Sequence, residues 1–356
     1  MIKTGALGDV VRTTSILPGL KQKHPQLRVT WITAQGALDL VRGHRLIARA
    51  IGLELRDERA LRALAEELAR VRWERVLSFD DEEPLCRLAS ALGGTPSEPG
   101  GAPGDRRLSG AYLDERGERR YTPDVAPWFD MGLLSVHGKT EADRRKLANR
   151  ESHPAIFARM LGIEMGEPEL ALPAAAQRFA ASFAQRTGLC ELRPVIGLNT
   201  GAGGRWESKR LSEERTVALA AAIAQALGGR ATFLLCGGPE EGARNARIGA
   251  ALAARELRWI DAGTQNALLD FTALVALCDL LITSDSLALH LALTQKVPIV
   301  AFFAPTPAAE IELYGRGEKV ASTSADYASF RPDADTSTLT VERLSAAALR
   351  VLGATR

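Results

Sequence analysis

The stretch from Leu280 to His290 constrains the fold of this chain more than any other. It begins as a short apolar run, typical of a buried parallel strand, and Ser286 to Leu293 then has the composition of a helix. A strand that enters a helix through a tight polar turn leaves several backbone N–H groups unpaired at the helix start, and such groups bind phosphate. The turn Ser284-Asp285-Ser286 therefore predicts either a phosphate site or an ordinary helix N-cap. Asp285 would not bind phosphate itself, but it could cap the helix or accept a hydrogen bond from a hydroxyl.

The opening residues carry a second strand–turn–helix pattern. A very short apolar start leads into a turn between Gly5 and Gly8, and the spacing then predicts one helix from Val10 to Lys23. The glycines do not follow the GxGxxG order, which argues against a dinucleotide fingerprint. Asp9 stands at the helix start, where the helix dipole favours a carboxylate, and it can act as a base if a substrate hydroxyl reaches it.

Predicted strands and helices alternate along both halves of the chain, which is typical of parallel βαβ units. We therefore predict an α/β chain with Rossmann-like domains at 1–165 and 174–338, followed by a C-terminal helix at 339–356. The segment 93–127 is rich in Gly, Pro, Arg and Asp, and it predicts a long surface loop or an insertion. The adjacent carboxylates Asp80 and Asp81 are expected at a helix start rather than in a metal site.

Four turns of the second half are unusually rich in small or polar residues, and each follows a predicted strand. They are the segments 201–204, 237–241, 284–286 and 305–307. Because ligands bind beyond the carboxyl ends of parallel strands, these turns predict a nucleotide site along one sheet edge. Lys209 and Arg205 could neutralise a diphosphate there. Glu240 or its neighbour Glu241 could accept hydrogen bonds from a ribose.

Composition excludes several classes of protein. Hydrophobic residues make up 46% of the chain and charged residues 25%, and the formal net charge of +2 implies no strong attraction to nucleic acid. The four cysteines are far apart and form no CxxC pair, so free thiols in a reducing compartment are expected. With neither a signal peptide nor an apolar run of transmembrane length, the sequence predicts a cytoplasmic protein. The cationic stretch 139–150 predicts either a solvated helix face or a site for an anionic acceptor.

Taken in order, these motifs resemble glycosyltransferase family 9, the ADP-heptose:lipopolysaccharide heptosyltransferases. The resemblance rests on segment 3–10, the Gly-rich loop with Trp206 and Lys209, segment 237–240, segment 284–286 with His290, and segment 303–306. It implies a GT-B fold, in which two Rossmann-like domains face each other across a cleft, and an inverting sugar transfer with no metal and no other cofactor. The chain departs from the family pattern at Leu287 and Ala304, where the family usually has glycine, and the change at Leu287 affects the fit of the donor sugar.

The resemblance also implies roles for individual residues. Asp9 matches the catalytic base that deprotonates the acceptor hydroxyl, and Lys209 matches the residue that stabilises the departing nucleoside diphosphate. The predicted donor-binding residues are Thr200, Gly201, Gly203, Arg205, Gly237, Glu240, Glu241, Ser284, Asp285, Ser286, Leu287 and His290. The predicted acceptor-binding residues are Gly8, Arg12, Arg144, Arg145 and Lys146.

The expected function is therefore transfer of a heptose from ADP-heptose to a cell-envelope saccharide or glycolipid, such as the lipopolysaccharide core. The expected partners include no nucleic acid, and peripheral contact with the cytoplasmic face of the inner membrane is a further expectation. Two alternatives remain open. A GT-B nucleotide-sugar epimerase would need several acid–base groups, whereas the strand ends offer mostly small residues. A non-catalytic nucleotide-sugar-binding protein would have no need of both Asp9 and Lys209.

Overall fold

The computed structural model describes residues 1–94, 107–204 and 206–354. They form two compact units, Met1–Glu167 and Pro168–Arg356, each with its own hydrophobic core. Part of the predicted loop, 95–106, and the predicted donor-site residue Arg205 lie outside the described residues. Within the described part of the chain, no helix is both long and apolar enough to span a bilayer.

The described part of the first unit surrounds short strands with helices. The helices are α1 (Leu7–Thr13), α2 (Ile16–Lys23), α3 (Asp39–Arg42), α4 (Glu58–Ala69), α5 (Glu83–Gly93), α6 (Ala126–Phe129), α7 (Lys139–Ala148) and α8 (His153–Leu161). The strands are β1 (Val29–Ala34), β2 (Ile47–Leu53), β3 (Val76–Ser78), β4 (Leu108–Leu113) and β5 (Arg119–Tyr121).

Ile2 supplies the middle of the first unit's sheet. It bridges in parallel to Ile32 of β1 and to Ser78 of β3, and thereby joins the pair β2–β1 to the group β3–β4–β5. Its amide donates to the Leu77 carbonyl at 2.7 Å, and its carbonyl accepts from the Phe79 amide at 3.0 Å. The Ile2 side chain is buried among leucines of α4 and α5, so this short segment is also part of the core.

The prediction of one helix from Val10 to Lys23 is wrong, because the chain breaks between α1 and α2. The two residues at the break, Thr14 and Ser15, turn their hydroxyls back on the preceding turn. Each hydroxyl donates at 2.7 Å to a backbone carbonyl, that of Val11 for Thr14 and that of Arg12 for Ser15. Such side-chain bonds compete with the helical hydrogen-bond ladder, and apolar spacing alone does not reveal them.

Of the two alternatives for 93–127, the surface loop is wrong for the part that the structure describes, because two strands form there. Strand β4 pairs in parallel with β3, and β5 pairs antiparallel with β4. Residues 108–111 are buried in this sheet although charged residues surround them in sequence. A buried run of four residues is too short to show a period of its own, so its strand character comes from pairing with β3.

Asp80 does not start a helix. Its buried carboxylate accepts hydrogen bonds from the Lys3 ammonium, from the Thr4 amide and from the Thr4 hydroxyl, the last at 2.9 Å. Helix α5 begins only at Glu83, after the N-cap Glu82. The prediction of a helix start at Asp80-Asp81 is therefore wrong, and Asp80 instead fixes the segment after Ile2 to the end of β3.

The second unit is a doubly wound α/β domain. Its helices are α9 (Ala174–Thr187), α10 (Glu213–Ala226), α11 (Gly242–Ala253), α12 (Leu268–Val275), α13 (Leu287–Thr294) and α14 (Val341–Ala354). Its strands are β6 (Val195–Asn199), β7 (Thr232–Cys236), β8 (Arg258–Asp261), β9 (Leu280–Ser284), β10 (Ile299–Phe303) and β11 (Gly317–Ala321). Helices α10, α11 and α14 contribute to the core on one face of the sheet, and α9, α12 and α13 contribute to the core on the other.

All six strands of this sheet run parallel in the order β11-β10-β9-β6-β7-β8. The chain builds outward from β6 through β7 to β8, and then crosses back to β9 and builds outward in the other direction. The strand order therefore reverses between β6 and β9. In open parallel sheets, the crevice beyond the carboxyl ends of the strands at such a reversal is where ligands bind.

Candidate active site

Four loops follow the carboxyl ends of the adjacent strands β10, β9, β6 and β7. This arrangement places the segments 305–307, 284–286, 201–204 and 237–241 along one edge of the sheet, as the sequence predicts. The loops after β6 and β9 flank the switch point, which is the place between these two strands where the strand order reverses. The four predicted turns therefore belong to one region of the second unit.

Asn199 ties the loops together at the switch point. It is the last residue of β6, and its side-chain nitrogen lies 2.7 Å from the Gly201 carbonyl, 3.1 Å from the Thr283 hydroxyl and 3.2 Å from the Ser286 hydroxyl. One amide nitrogen thus links the loop after β6 to the loop after β9. Asn199 is not among the site residues predicted from the sequence. The signal available for it is an amide side chain that ends an apolar strand just before a glycine-rich loop.

Lys209 and Asp285 form an ion pair beside the switch point. The Lys209 ammonium lies 3.0 Å from a carboxylate oxygen of Asp285 and donates to the Asp285 carbonyl at 2.8 Å. It also lies 5.2 Å from the centre of the Trp206 ring, which favours a cation at that place. The other carboxylate oxygen of Asp285 is 3.9 Å from Nε2 of the buried His290. Both charged side chains are 20% exposed, so the pair is partly shielded from solvent and still open to a ligand.

The turn before α13 is not an ordinary side-chain cap. Ser286 is the N-cap residue, yet its side chain makes no capping hydrogen bond and its hydroxyl instead lies 3.0 Å from that of Thr283. Leu287 is the first helical residue and is half-buried. Ser286 is therefore the N-cap residue by position, but its side chain does not cap the helix. Its side chain leaves the first backbone N–H groups of α13 to other acceptors.

The structure distinguishes Glu241 from Glu240. Glu241 is buried, its carboxylate accepts from the Gly238 amide at 2.8 Å, and a Cβ at Gly201 would overlap it. Glu240 is exposed, and its carboxylate lies against Gly204. Glu241 thus holds the glycine loops in place, whereas the Glu240 carboxylate is accessible to a ligand at the sheet edge.

Backbone and side-chain bonds fix the remaining donor-loop residues. The buried Thr200 donates through its hydroxyl to Asn245, and its carbonyl accepts from the Arg244 guanidinium at 3.0 Å. Gly203 has a φ of +69°, a conformation that favours glycine. A Cβ at Gly237 would stand 2.7 Å from the Glu241 side chain, so a residue larger than glycine would collide with Glu241 at this position.

In the first unit, Asp9 lies in the first turn of α1 next to Gly8. One carboxylate oxygen accepts from the Ala6 amide at 3.3 Å, and the other lies 2.9 Å from the Arg12 guanidinium. The Asp9 side chain is 35% exposed and that of Arg12 only 12%. Asp9 therefore accepts a backbone hydrogen bond at the start of α1, as a capping carboxylate does. Its side chain remains accessible to a substrate hydroxyl.

An aromatic cluster lies beneath Arg12. The Arg12 guanidinium is 5.4 Å from the centre of the Trp128 ring. Trp128 in turn packs edge-to-face against His153 and Phe157, with ring centres 4.8 and 5.5 Å apart. This packing fixes Arg12, which in turn orients Asp9. A direct contact of Arg12 with an acceptor remains a prediction.

The arginines of α7 already have carboxylate partners. Arg144 donates to both oxygens of Glu141 at 2.7 Å, and Arg145 donates to Glu141 at 2.9 Å and to Asp130 at 3.0 Å. These bonds, with those from Arg144 the largest cause, lower the pKa of Glu141 to about 2. Lys146 is half-buried on the same helix. An anionic acceptor would have to displace these partners, and the role of the three cations in acceptor binding remains a prediction.

The family model of glycosyltransferase family 9 (heptosyltransferase) matches residues 131–336, which is more than half of the chain. Among curated protein sequences, none matches. The matched residues include helix α7 of the first unit as well as the loops of the second unit. The likeness to the family therefore extends beyond the nucleotide-binding fold of the second unit.

Several solved structures share the fold over nearly the whole chain. A glycosyl transferase family 9 protein from Veillonella parvula is 19% identical with a TM-score of 0.70, over 99% of this chain and 96% of that one. The Escherichia coli ADP-heptose LPS heptosyltransferase II is 19% identical with a TM-score of 0.64, over 99% and 98%. The E. coli heptosyltransferase WaaC with ADP-2-deoxy-2-fluoro heptose is 16% identical with a TM-score of 0.58, over 100% and 98%. These likenesses confirm the predicted GT-B fold class.

Proposed function

Since the chain belongs to glycosyltransferase family 9, the heptosyltransferases, we propose that it transfers a heptose from ADP-heptose to a cell-envelope saccharide such as the lipopolysaccharide core. Family membership establishes a glycosyltransferase. The donor, the acceptor, inversion at the sugar carbon and independence from metal ions are the content of the proposal. The observation that carries it is the Lys209–Asp285 ion pair beside the switch point of the second unit.

The donor diphosphate would bind between Lys209 and the start of α13. Negative charge builds up on the diphosphate as the bond to the sugar breaks, and an ammonium group together with a helix N-terminus compensates that charge. Lys209 would exchange the Asp285 carboxylate for diphosphate oxygens, and Asp285 would then accept hydrogen bonds from sugar hydroxyls. Among the described residues, the buried hydroxyls of Ser284 and Thr306 lack hydrogen-bond partners, a shortage that a ligand at this edge would relieve.

The acceptor would react at Asp9. Inversion in one step needs a single base, which takes the proton from the acceptor hydroxyl while its oxygen attacks the anomeric carbon and the nucleoside diphosphate leaves with the bonding electrons. Asp9 suits this role because one of its oxygens is oriented by Arg12 and the side chain is partly exposed. A saccharide or glycolipid acceptor is proposed, together with peripheral contact with the inner membrane.

Acceptor-dependent release of ADP tests the proposed function. The protein would be incubated with ADP-heptose, with and without a core saccharide that lacks heptose. ADP should appear only with the acceptor, and the product should carry the opposite anomeric configuration to the donor. Conversion of the donor to an epimer without ADP release would establish the epimerase instead, and absence of any turnover would leave a binding protein.

The two neighbouring glutamates provide a paired test of ribose binding. Glu241→Ala should lower the free energy of unfolding by about 1–3 kcal/mol, because it leaves the partly buried amide of Gly238 without its acceptor. Glu240→Ala should leave the melting temperature unchanged and weaken ADP binding severalfold. Thermal denaturation and calorimetric titration with ADP measure the two effects. Normal ADP binding by Glu240→Ala would exclude Glu240 from the donor site.

We also expect full turnover without a divalent metal. Lys209 and the start of α13 would supply the positive charge that a cation otherwise supplies to a diphosphate. Turnover of protein dialysed against EDTA should equal that of the untreated protein, and added magnesium or manganese should change it by less than about twofold. Loss of activity in EDTA, with recovery on addition of either ion, would contradict this expectation.

A further inference from the structure

Arg244 is a buried cation in the first turn of α11, a place that the helix dipole disfavours. It is the third residue of this helix, and its side chain is only 11% exposed. The positive end of the helix dipole repels a cation at that position. Burial of a charged group costs further free energy unless hydrogen bonds compensate it. The reason for an arginine at this position therefore lies in what its guanidinium contacts.

The Arg244 guanidinium joins the two ends of the loop between β6 and α10. Residues 200–211, which we term the lysine loop, contain Lys209. Nε of Arg244 donates to the Thr200 carbonyl at 3.0 Å, and Nη2 donates to the Leu211 carbonyl. A guanidinium holds its donors in a rigid planar fork, so it fixes the separation of the two carbonyls as well as binding each. Arg244 thus acts as a clamp across the lysine loop.

The clamp is connected to β7 on one side and to α10 on the other. Asn245, the neighbour of Arg244, accepts from the Thr200 hydroxyl and donates to the Cys236 carbonyl of β7 at 3.4 Å. The Thr200 amide donates to the same carbonyl at 3.2 Å. Nη1 of Arg244 lies 3.6 Å from the carboxylate of Glu213, the first residue of α10. Both ends of the lysine loop are therefore referred to fixed elements of the second unit.

One end of the clamp lies two residues from Lys209. Leu211 follows Lys209 by two positions, so their Cα atoms are at most about 7 Å apart. The Lys209 ammonium lies 2.8 Å from the Asp285 carbonyl and 3.0 Å from the Asp285 carboxylate. A shift of the Leu211 carbonyl would move the backbone that carries this ammonium. Since misplacement of a catalytic group by about 1 Å can lower a rate about a hundredfold, the clamp bears on turnover.

We propose that Arg244 is a positioning residue, which holds the lysine loop closed and thereby sets the place of the Lys209 ammonium beside the start of α13. The buried guanidinium acts through Lys209 and does not contact the ligand. The clamp itself stands on the bonds from Arg244 to the two loop carbonyls. Its effect on the donor diphosphate rests on the proposed function.

Tryptic cleavage of the native protein tests the clamp without any ligand. The lysine loop offers cleavage sites after Lys209 and Arg210, and a protease cuts a folded chain where it opens locally. Arg244→Met removes both donors and should speed cleavage at these sites at least about tenfold. Arg244→Lys keeps the charge but lacks the fork, and it should speed cleavage at least about threefold. Mass spectrometry of the earliest fragments identifies the sites.

Arg247→Met is the matched control. Arg247 lies three residues further along α11, is 61% exposed, and donates to Glu213 at 2.7 Å. Its variant loses the same charge and should be cleaved within about twofold of the wild-type rate. Wild-type cleavage rates in both Arg244 variants would overturn the clamp, and so would equal acceleration in Arg247→Met. Faster cleavage throughout the chain in both Arg244 variants, with lowered melting temperatures, would show a general loss of stability and would overturn it too.

A double-mutant cycle on ADP affinity tests whether the clamp acts through Lys209. Calorimetric titration with ADP compares the wild type, Arg244→Met, Lys209→Ala and the double variant. Arg244→Met should weaken ADP binding at least about fivefold in the wild-type background but less than about twofold in Lys209→Ala, because the effects of residues that act as one unit do not add. Equal weakening in both backgrounds would overturn the positioning role, since Arg244 would then act on the diphosphate or on the fold without Lys209.

Failure of the proposed function gives a different pattern of results. Wild-type protein that binds no ADP, although trypsin distinguishes it from both Arg244 variants, would refute the donor site and leave the clamp intact. Normal ADP binding by Arg244 variants whose lysine loop is cleaved rapidly would overturn the positioning role and leave the proposed function standing.

Discussion

Replacement of Asp9 by asparagine should lower kcat roughly a hundredfold or more and leave the melting temperature near that of the wild type. Asparagine has nearly the same shape, caps helices almost as well as aspartate, and can still accept from the Ala6 amide. It cannot take a proton from an acceptor hydroxyl at neutral pH. The affinity for ADP should not change, because the donor loops belong to the second unit. Steady-state kinetics, thermal denaturation and calorimetry measure the three quantities.

The chain contains a matched control for this variant. Asp39 stands in the first turn of α3 and pairs with Arg42 at 3.8 Å, three residues on, just as Asp9 pairs with Arg12 in α1. Asp39→Asn should leave kcat within about twofold of wild type, since an exposed helix pair of this kind contributes little. Normal turnover in Asp9→Asn would rule out Asp9 as the base and would favour the non-catalytic binding protein.

Replacement of Lys209 by alanine should lower kcat by roughly a hundredfold to a thousandfold and weaken ADP binding at least about tenfold. The ammonium is the charge that the structure holds beside the start of α13, and the leaving diphosphate needs that charge most as the sugar bond breaks. The fold should persist, because the pair with Asp285 is partly exposed and Asp285 retains His290 as a neighbour. The measurements are turnover, calorimetric titration with ADP, and thermal denaturation.

Arg210 is the control for Lys209. It is the next residue, carries the same charge, and pairs with Glu207 instead of reaching the switch point. Arg210→Ala removes one positive charge from the same stretch and should leave ADP affinity within about threefold of wild type. An unchanged ADP affinity in Lys209→Ala would remove this lysine from the donor site, whatever the kinetics show.

The second unit was the more predictable part of the fold. Its central strands, such as Val195–Asn199 and Leu280–Ser284, begin as apolar runs, and glycine-rich or polar turns follow them. The start of helix α10 could be predicted from Ser212, a residue type that favours the N-cap position. In the structure the Ser212 hydroxyl accepts from the Arg215 amide, as expected of a capping serine. Local signals of this kind predict the structure because the residues that interact are neighbours in sequence.

Features that depend on distant partners could not be predicted from the sequence. The strand character of Leu108–Leu113 comes from pairing with β3, and the buried carboxylate of Asp80 pairs with Lys3, which lies 77 residues earlier in the chain. The difference between Glu240 and Glu241 depends on Gly201, which lies on another loop. Asn199 donates to oxygens of Gly201, Thr283 and Ser286, and spacing along the chain does not reveal these contacts.

The place of Ile2 in the first unit bears on how the protein is made. Ile2 is the middle of a sheet whose partner at Ser78 is 76 residues further along the chain. At about 5–20 residues per second, a ribosome needs roughly 4 to 15 s to add those residues. During that interval the nascent chain exposes an apolar segment with unpaired backbone groups at its edge, which is a site for aggregation or for a chaperone. Slower elongation between these positions should therefore lower the yield of folded protein more than slower elongation after Phe79.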